Sequence, residues 1–78
     1  MRYKIKMPKV ADSVDEVVIL EWLTEVGSII EAGQPLVQVE TDKVDMEVPS
    51  PVSGTLIEML VSSDDEVSTG TPICIIEA

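Results

Sequence analysis

The sequence contains no histidine and no phenylalanine, and it has only one cysteine, one tryptophan and one tyrosine. Without histidine the chain cannot form a Ser-His or Cys-His catalytic pair or a histidine metal site, and a single cysteine excludes an internal disulfide and a cysteine zinc site. Basic residues are also scarce. The chain has 5 Lys and Arg but 15 Asp and Glu, which gives a formal net charge of -10. This charge argues against binding to nucleic-acid phosphates or to an anionic membrane surface.

Long apolar runs are absent as well. No stretch approaches the roughly 20 apolar residues of a membrane span, and the segment from Met1 to Lys9 lacks the apolar run of a secretory signal. The 78 residues suffice for one small domain, residues 1–78, which at this length buries about 60% of the surface of its unfolded chain. We therefore expect a monomeric domain in the cytoplasm, or in the mitochondrial matrix of a eukaryote, without nucleic-acid or membrane partners.

The apolar residues that are present favour β-structure. They make up 45% of the chain, and because aromatic residues are so few, the core must consist of Val, Ile, Leu and Met. Val and Ile suit a pleated surface, while Gly and Pro divide the chain into short runs. Helical spacing occurs only at Ile19–Val26, whose flanking β-branched residues favour a strand. Residues 2–7 alternate between apolar and basic side chains, so the sequence indicates an all-β domain with strands half in water.

Two alternating segments flank the dipeptide Asp42-Lys43 and predict a β-hairpin. Val37–Glu40 precedes the dipeptide and Val44–Val48 follows it, and a two-residue connection places the apolar side chains of both segments on one face. Asp-Lys is not a preferred pair for a tight primed turn, so we expect a type I turn or a slightly longer loop. The predicted register places Thr41 opposite Val44, Val39 opposite Met46, Val37 opposite Val48, Glu40 opposite Asp45 and Gln38 opposite Glu47.

An internal repeat predicts that the domain consists of two similar halves. Each half has too few strands to bury a core alone, so we expect two stacked sheets related by a pseudo-twofold axis, as in a flattened barrel or sandwich. The repeat aligns Cys74 with the inward-facing Val37, which predicts a buried apolar cysteine and not a reactive thiol. The aligned segments, 37 residues apart, are Gly33–Glu40 with Gly70–Glu77 and Ile19–Leu23 with Leu56–Leu60.

Lys43 is the one basic residue between Val10 and Ala78, and it lies at the predicted hairpin tip. An exposed lysine among carboxylates stays protonated and is a poor Schiff-base catalyst. A long flexible side chain at a rigid tip is suited to recognition by another protein and to covalent modification. Pro49 and Pro51 stiffen the strand that leaves the tip, which favours this interpretation over that of a solubilising turn lysine.

The residues around Lys43 closely resemble the attachment motif of lipoyl domains in the acyltransferase components (E2) of 2-oxoacid dehydrogenase complexes. The motif reads Glu-Thr-Asp-Lys-Val from Glu40 to Val44 and continues to Gly54. The resemblance implies a flattened β-barrel of two four-stranded antiparallel sheets, with a lipoylated lysine at the exposed turn between two strands. Similarity also extends to Met7-Pro8, Glu21–Leu23, Gly33–Leu36 and Gly70–Pro72.

The resemblance further implies a cofactor and partners. Lys43 would carry covalent lipoic acid, attached by a lipoyl ligase, and the domain would be a non-catalytic carrier of acyl groups and reducing equivalents. Its partners would be a thiamine-diphosphate-dependent decarboxylase (E1), the acyltransferase core (E2) and a flavin-containing dihydrolipoamide dehydrogenase (E3). Asp42 and Val44 would position the lysine for the ligase. Recognition by basic patches on the partners would use Glu40, Asp45 and Glu47.

Two loops depart from the family pattern. A Gly-rich stretch is common before the second strand, where this chain has Val10–Val17 without glycine. A glycine is also common in the turn that Ser62–Glu66 occupies. Because such loops influence partner recognition, the sequence leaves the cognate decarboxylase and its 2-oxoacid or acetoin substrate open.

Other classes of protein share some of these features. A biotin carboxyl carrier has the implied fold but typically has methionine on both sides of its lysine, where this chain has Asp42 and Val44. Glycine-cleavage carrier proteins are longer and have additional helical structure. A calcium site could use Asp12–Glu16 or Asp64–Glu66, but neither run has the ligand spacing and central glycine of a calcium loop. A purely structural interaction domain explains the fold and the charge but not the attachment motif.

Overall fold

The computed structural model describes residues 1–9, 15–42 and 44–78, and these ranges consist of strands and the turns between them. They contain no helix with the length and apolarity needed to cross a membrane. The segment with helical spacing forms a strand and a turn, as its β-branched neighbours predicted. The strands are β1 (Arg2–Lys6), β2 (Glu16–Trp22), β3 (Ile29–Ile30), β4 (Pro35–Glu40), β5 (Asp45–Pro49), β6 (Gly54–Met59), β7 (Glu66–Ser68) and β8 (Pro72–Glu77).

The strands form two four-stranded sheets. One sheet has the order β1-β8-β6-β3 and the other has the order β5-β4-β2-β7. Every neighbouring pair is antiparallel. The predicted all-β sandwich of two four-stranded antiparallel sheets is therefore confirmed.

The two sheets repeat each other in strand order and in register. Exchanging β1 with β5, β8 with β4, β6 with β2 and β3 with β7 converts one order into the other. The β2–β4 and β6–β8 pairings even contain a register shift at equivalent positions. The pseudo-twofold axis predicted from the repeat is thus confirmed. The equivalent residue pairs are Val18–Glu40 and Thr55–Glu77, Ile19–Val39 and Leu56–Ile76, Glu21–Gln38 and Glu58–Ile75, and Trp22–Val37 and Met59–Cys74.

An aliphatic core fills the space between the sheets. The alternation of inward and outward side chains along the strands is interrupted in β4, where the consecutive residues Leu36 and Val37 are both buried. A register shift between Pro35 and Val37 explains this, because a bulge turns two successive side chains to the same face. The core residues are Ile5, Met7, Val17, Ile19, Ile30, Leu36, Val37, Val39, Val48, Leu56, Val67, Ile73, Cys74 and Ile76.

Cys74 lies on β8 within this core and is fully buried. Burial raises the pKa of its thiol to about 11, so the nucleophilic thiolate is rare at neutral pH. The predicted role of a buried apolar residue is confirmed.

Two crossover connections hold the sheets together along one side, which we call the bonded seam. The first crossover comprises residues 23–28 and bonds to β6, while the second comprises residues 60–65 and bonds to β2. The indole N–H of Trp22 adds a bond of 3.1 Å to the carbonyl oxygen of Val61 in the second crossover. The backbone N–H donors and carbonyl acceptors are Gly27 to Leu56 at 2.7 Å, Leu56 to Ser28 at 3.0 Å, Asp64 to Ile19 at 2.7 Å and Ile19 to Asp65 at 2.8 Å.

Replacing Asp64 with glycine is expected to raise the free energy of unfolding by about 0.5 kcal/mol. Asp64 has a φ of 73°, and its equivalent in the first crossover is Gly27 with a φ of 97°. A left-handed backbone costs a non-glycine residue about 1–2 kcal/mol, which outweighs the entropy that glycine gains in the unfolded chain. Urea unfolding at a constant m-value measures the change. Ser63→Gly, at an exposed neighbouring position without positive φ, should instead lower stability, and equal losses in both variants would contradict the argument.

The β4–β5 hairpin and the two chain ends lie at opposite ends of the molecule, which is 33 Å long. Near the hairpin tip, Glu40 pairs with Val18 on β2, and near the chain ends, Glu77 pairs with Thr55 on β6. The crossover that leaves the other end of β2 bonds to β6 beside Thr55. The chain ends are therefore next to the end of β2 that is remote from the hairpin tip.

Candidate functional site

The β4–β5 hairpin has the register that the sequence predicts. Its inward side chains Val37, Val39 and Val48 are almost completely buried, and Met46 packs against the core. One face of the hairpin is therefore fixed, which gives the tip a rigid base. The observed pairs are Val37–Val48, Gln38–Glu47, Val39–Met46 and Glu40–Asp45.

Thr41 and Val44 close the hairpin at its tip. The Thr41 N–H donates to the Val44 carbonyl oxygen at 2.9 Å. The Val44 N–H donates to the Thr41 hydroxyl at 3.0 Å, and the hydroxyl donates to the Val44 carbonyl oxygen at 2.8 Å. The threonine side chain thus bonds to both backbone polar groups of Val44, and the predicted pairing of these residues is confirmed. Lys43 lies outside the described residues, so its role as the attachment site stays a prediction.

The described residues beside the tip are open to solvent. Asp42 is exposed, and Val44 is 56% exposed despite its apolar side chain. Val44 precedes the first residue of β5, so it lies beyond the part of the hairpin that packs on the core. Glu40, Asp45 and Glu47 are likewise exposed. This arrangement can present a side chain to an enzyme.

A groove of about 280 Å³ beside the tip adds carboxylates from two further strands. Glu16 on β2 and Glu66 on β7 line it together with Glu40 and Asp42. Hydrogen bonding to the Glu66 carboxyl, with added charge repulsion, raises the pKa of Glu16 above its ordinary value. Sequence reasoning did not connect Glu16 and Glu66 with the tip, because the pairing of β2 with β7 has no local signal.

Replacing Glu16 with glutamine is expected to raise the melting temperature at pH 7 and to leave it nearly unchanged below about pH 3. A raised pKa in the folded state means that the folded domain binds this proton more tightly than the unfolded chain. The associated stability is complete below the ordinary pKa of glutamate and is lost as the pH rises through the raised value. Thermal unfolding across this range measures the effect, with Glu21→Gln on the same strand as a control of equal charge change. A gain of the same size in both variants would contradict the pairwise explanation.

The acidic turns do not gather as a metal site within the described part of the chain. No group of three or more His, Cys, Asp or Glu side chains there could hold a metal ion. The carboxylate of Asp65 accepts a hydrogen bond of 2.8 Å from the Ser62 N–H, so this side chain shapes its own turn. In the other candidate calcium run, Asp12–Glu16, Asp12 lies outside the described residues.

Comparisons with known proteins assign this fold and hairpin to a family. The model of the Biotin_lipoyl family, described as "Biotin-requiring enzyme", matches residues 3–76. The chain belongs to the biotin/lipoyl family. Within this family, the lipoyl domain of the 2-oxoglutarate dehydrogenase complex from Azotobacter vinelandii is 27% identical, with a TM-score of 0.73 over 95% of this chain and 94% of that chain. A domain of a long-chain acyl-CoA carboxylase has a TM-score of 0.77 at 22% identity over 95% of this chain and 7% of that chain, which shows the fold alone.

Curated relatives of this biotin/lipoyl domain are acyltransferase components. The dihydrolipoyllysine-residue acetyltransferase component of the pyruvate dehydrogenase complex of Corynebacterium glutamicum is 48% identical over 69 residues, 88% of this chain and 10% of that protein. The succinyltransferase component of the 2-oxoglutarate dehydrogenase complex of Staphylococcus saprophyticus is 40% identical over 73 residues, 94% of this chain and 17% of that protein. The chain spans less than a fifth of each relative. The predicted lipoyl domain is confirmed, and the biotin-carrier alternative has weaker support.

The two loops that depart from the family pattern have different outcomes. Residues 10–14 of the glycine-free Val10–Val17 stretch lie outside the described residues. In the Ser62–Glu66 turn, Asp64 adopts the left-handed conformation that glycine usually provides. The predicted influence of these loops on partner choice stays a prediction.

Proposed function

We propose that this lipoyl domain is a swinging-arm carrier in which Lys43 bears lipoic acid through an amide bond, and that it serves a 2-oxoacid dehydrogenase complex. The observation that carries the proposal is the hairpin tip closed by Thr41 and Val44, where Asp42 and Val44 are exposed, on a hairpin whose inward face is fixed in the core. When attached, the lipoyl group supplies a disulfide that accepts an acyl group with reducing equivalents and later releases both. The names of the relatives, dihydrolipoyllysine-residue acyltransferases of pyruvate and 2-oxoglutarate complexes, support this assignment.

The residues around the tip fit a group that must reach several active sites. Such a group needs a rigid base and free space around its tether. The buried Val37 and Val48 provide the base, while the exposed Asp42 and Val44 leave the surface around position 43 open. Because the tip lies at the opposite end from Met1 and Ala78, an attached arm can move without meeting either chain end.

The domain itself is non-catalytic in this proposal. The carrier delivers its arm to a decarboxylase (E1), an acyltransferase core (E2) and a flavin dehydrogenase (E3), after a lipoyl ligase has loaded it. Amide formation removes the positive charge of Lys43 and leaves an acidic tip. Basic patches on the partners would therefore contact it, and raising the ionic strength should slow acyl transfer to the domain.

In this proposal, one set of residues is recognised by the ligase and a second set by the components of the complex. Asp42 and Val44, directly beside the lysine, contact the ligase, and the exposed apolar side chain of Val44 offers it a hydrophobic contact. The decarboxylase and the other components contact the outward face of the hairpin, where the carboxylates are Glu40, Asp45 and Glu47.

Intact-mass measurement after incubation with purified ligases tests the attachment. A lipoyl ligase with lipoate and ATP, which activates the carboxylate as an acyl adenylate and leaves as AMP, should add one lipoyl group to the 78-residue chain, whereas a biotin ligase with biotin and ATP should add nothing. Lys43→Arg should remain unmodified by either enzyme while it retains the thermal unfolding curve of the wild type. Addition of biotin, or continued lipoylation of the arginine variant, would overturn the proposal.

A further inference from the structure

A second groove lies on the side of the molecule opposite the bonded seam, between the edge strands β1 and β5. Its volume is about 490 Å³, and apolar side chains that include Tyr3, Ile5, Val48 and Val52 line it. Tyr3 is still 37% exposed. A groove of this size and lining is within the range of ligand pockets in proteins. We call it the open seam.

The open seam differs from the bonded seam in its backbone contacts. Crossover connections close the bonded seam with four backbone hydrogen bonds. Within the described residues, no hydrogen bond joins residues 1–9 to residues 44–52, although both stretches line the open seam. β1 and β5 are each at the edge of their sheet, so their outer backbone groups are available for pairing with an added strand.

Of these two edges, β1 is the one that can accept a strand. β5 ends at Pro49, and Pro51 follows closely. Proline has no N–H to donate to a neighbouring strand. β1 contains no proline between Arg2 and Lys6, so alternate residues of β1 direct an N–H and a carbonyl group toward the seam.

The charge of β1 indicates what kind of strand it accepts. Lys4 and Lys6 line the open seam and form no ion pair with a described residue, whereas Arg2 pairs with Glu77 at 2.9 Å. Charged residues, lysine in particular, commonly protect an edge strand from pairing with another edge. The pseudo-twofold axis relates β1 to β5, whose outward charges are those of Asp45 and Glu47. The lysines of β1 therefore disfavour pairing with a second copy of β1, but they favour a strand that places carboxylates opposite Lys4 and Lys6.

We propose that the open seam binds an extended acidic segment of a partner protein as an added strand on β1. Lys4 and Lys6 lie two residues apart on one face of the strand, about 6.8 Å from each other along it. Carboxylates at alternate positions of an extended segment have the same spacing and would face them. The residues between those carboxylates point inward, where the partly exposed Tyr3 and Val52 offer an apolar surface. The partner segment therefore alternates acidic with aliphatic side chains.

NMR titration of the isotopically labelled domain tests this proposal with a short blocked peptide in which glutamate alternates with isoleucine. The amide signals of Tyr3 to Lys6 and of Val48 to Val52 should shift. The double variant Lys4→Gln/Lys6→Gln should raise the dissociation constant by about tenfold, because two cross-strand charge pairs are lost. Lys9→Gln, an equivalent charge change outside the groove lining, should leave the dissociation constant within about twofold.

Several results would overturn the proposal. These are the absence of shifts at millimolar peptide, equal affinity of the double variant and the wild type, or equal binding of a peptide with lysine in place of glutamate. Shifts of the seam signals with domain concentration alone would mean that a second copy occupies the seam. Lys43→Arg should bind the peptide as the wild type does, so failure of the carrier assignment and failure of this proposal give different results.

Discussion

Replacing Gly54 with alanine is expected to lower the free energy of unfolding by about 3 kcal/mol. Gly54 begins β6 and faces the end of β8, where an added Cβ would lie 2.8 Å from the Ile76 Cγ2 atom and 2.9 Å from the Glu77 carbonyl carbon, in direct conflict with the Glu77 carbonyl oxygen. The obstacle is backbone in a strand that pairs on both sides, with β1 and β6. It cannot move aside without breaking strand pairing, so the methyl group forces a rearrangement of the sheet.

Gly33→Ala is the matched control for this measurement. Gly33 has a φ of 90°, and nothing lies within 4 Å of an added Cβ. Its substitution therefore creates no clash and costs the strain of a left-handed backbone, about 1–2 kcal/mol, less the roughly 0.5–1 kcal/mol by which alanine lowers the entropy of the unfolded chain. Urea unfolding of both variants separates the two effects. If Gly54→Ala lowers the free energy of unfolding no more than Gly33→Ala does, β8 moves to accommodate the methyl group, contrary to the packing described above.

Replacing Thr41 with valine is expected to lower kcat/KM of a lipoyl ligase for the domain by about tenfold, the equivalent of about 1.4 kcal/mol. The Thr41 hydroxyl bonds to both the N–H and the carbonyl oxygen of Val44 across the turn. Valine has a similar shape but cannot form these bonds, so Val44 loses a partner for its N–H and the turn gains freedom. Thr41 is thus a positioning residue that acts through the backbone on both sides of Lys43.

The readouts for Thr41 distinguish positioning from a general loss of stability. Because Asp42 and Val44 beside it are exposed, the variant should keep a melting temperature within a few degrees of the wild type. Thr41→Ser retains the hydroxyl and should restore kcat/KM to within about twofold of the wild type. If the serine variant is as poor a substrate as the valine variant, the methyl group and not the hydrogen bonds is important.

Local patterns explain why so much of the hairpin is predictable. The alternation of Val37 and Val39 with polar residues, followed by Val48 after a short connection, leaves a single register that buries all three. The 37-residue repeat extends this reasoning to Cys74, because an equivalent position in the second half has an equivalent environment. The family resemblance then supplies the attachment chemistry, which the residues alone do not determine.

Long-range geometry explains what the sequence does not reveal. Glu16 and Glu66 come together only because β2 pairs with β7, and no local pattern specifies that pairing. Leu36 is buried beside Val37 because of a register shift that interrupts the alternation. Gly54 belongs to the motif, but only its close contact with β8 shows why a larger residue does not fit at this position. Each of these features depends on residues distant in sequence.

Reductive acylation of the lipoylated domain tests the central claim most directly. The domain is incubated with thiamine diphosphate, a purified 2-oxoacid decarboxylase and its isotopically labelled substrate, and peptide mass spectrometry locates the label. The carrier assignment predicts a labelled acyl group on the lipoyl-Lys43 peptide with at least one such decarboxylase, and none on Lys43→Arg. Label on a different residue, or no label with any decarboxylase although Lys43 is fully lipoylated, would contradict it.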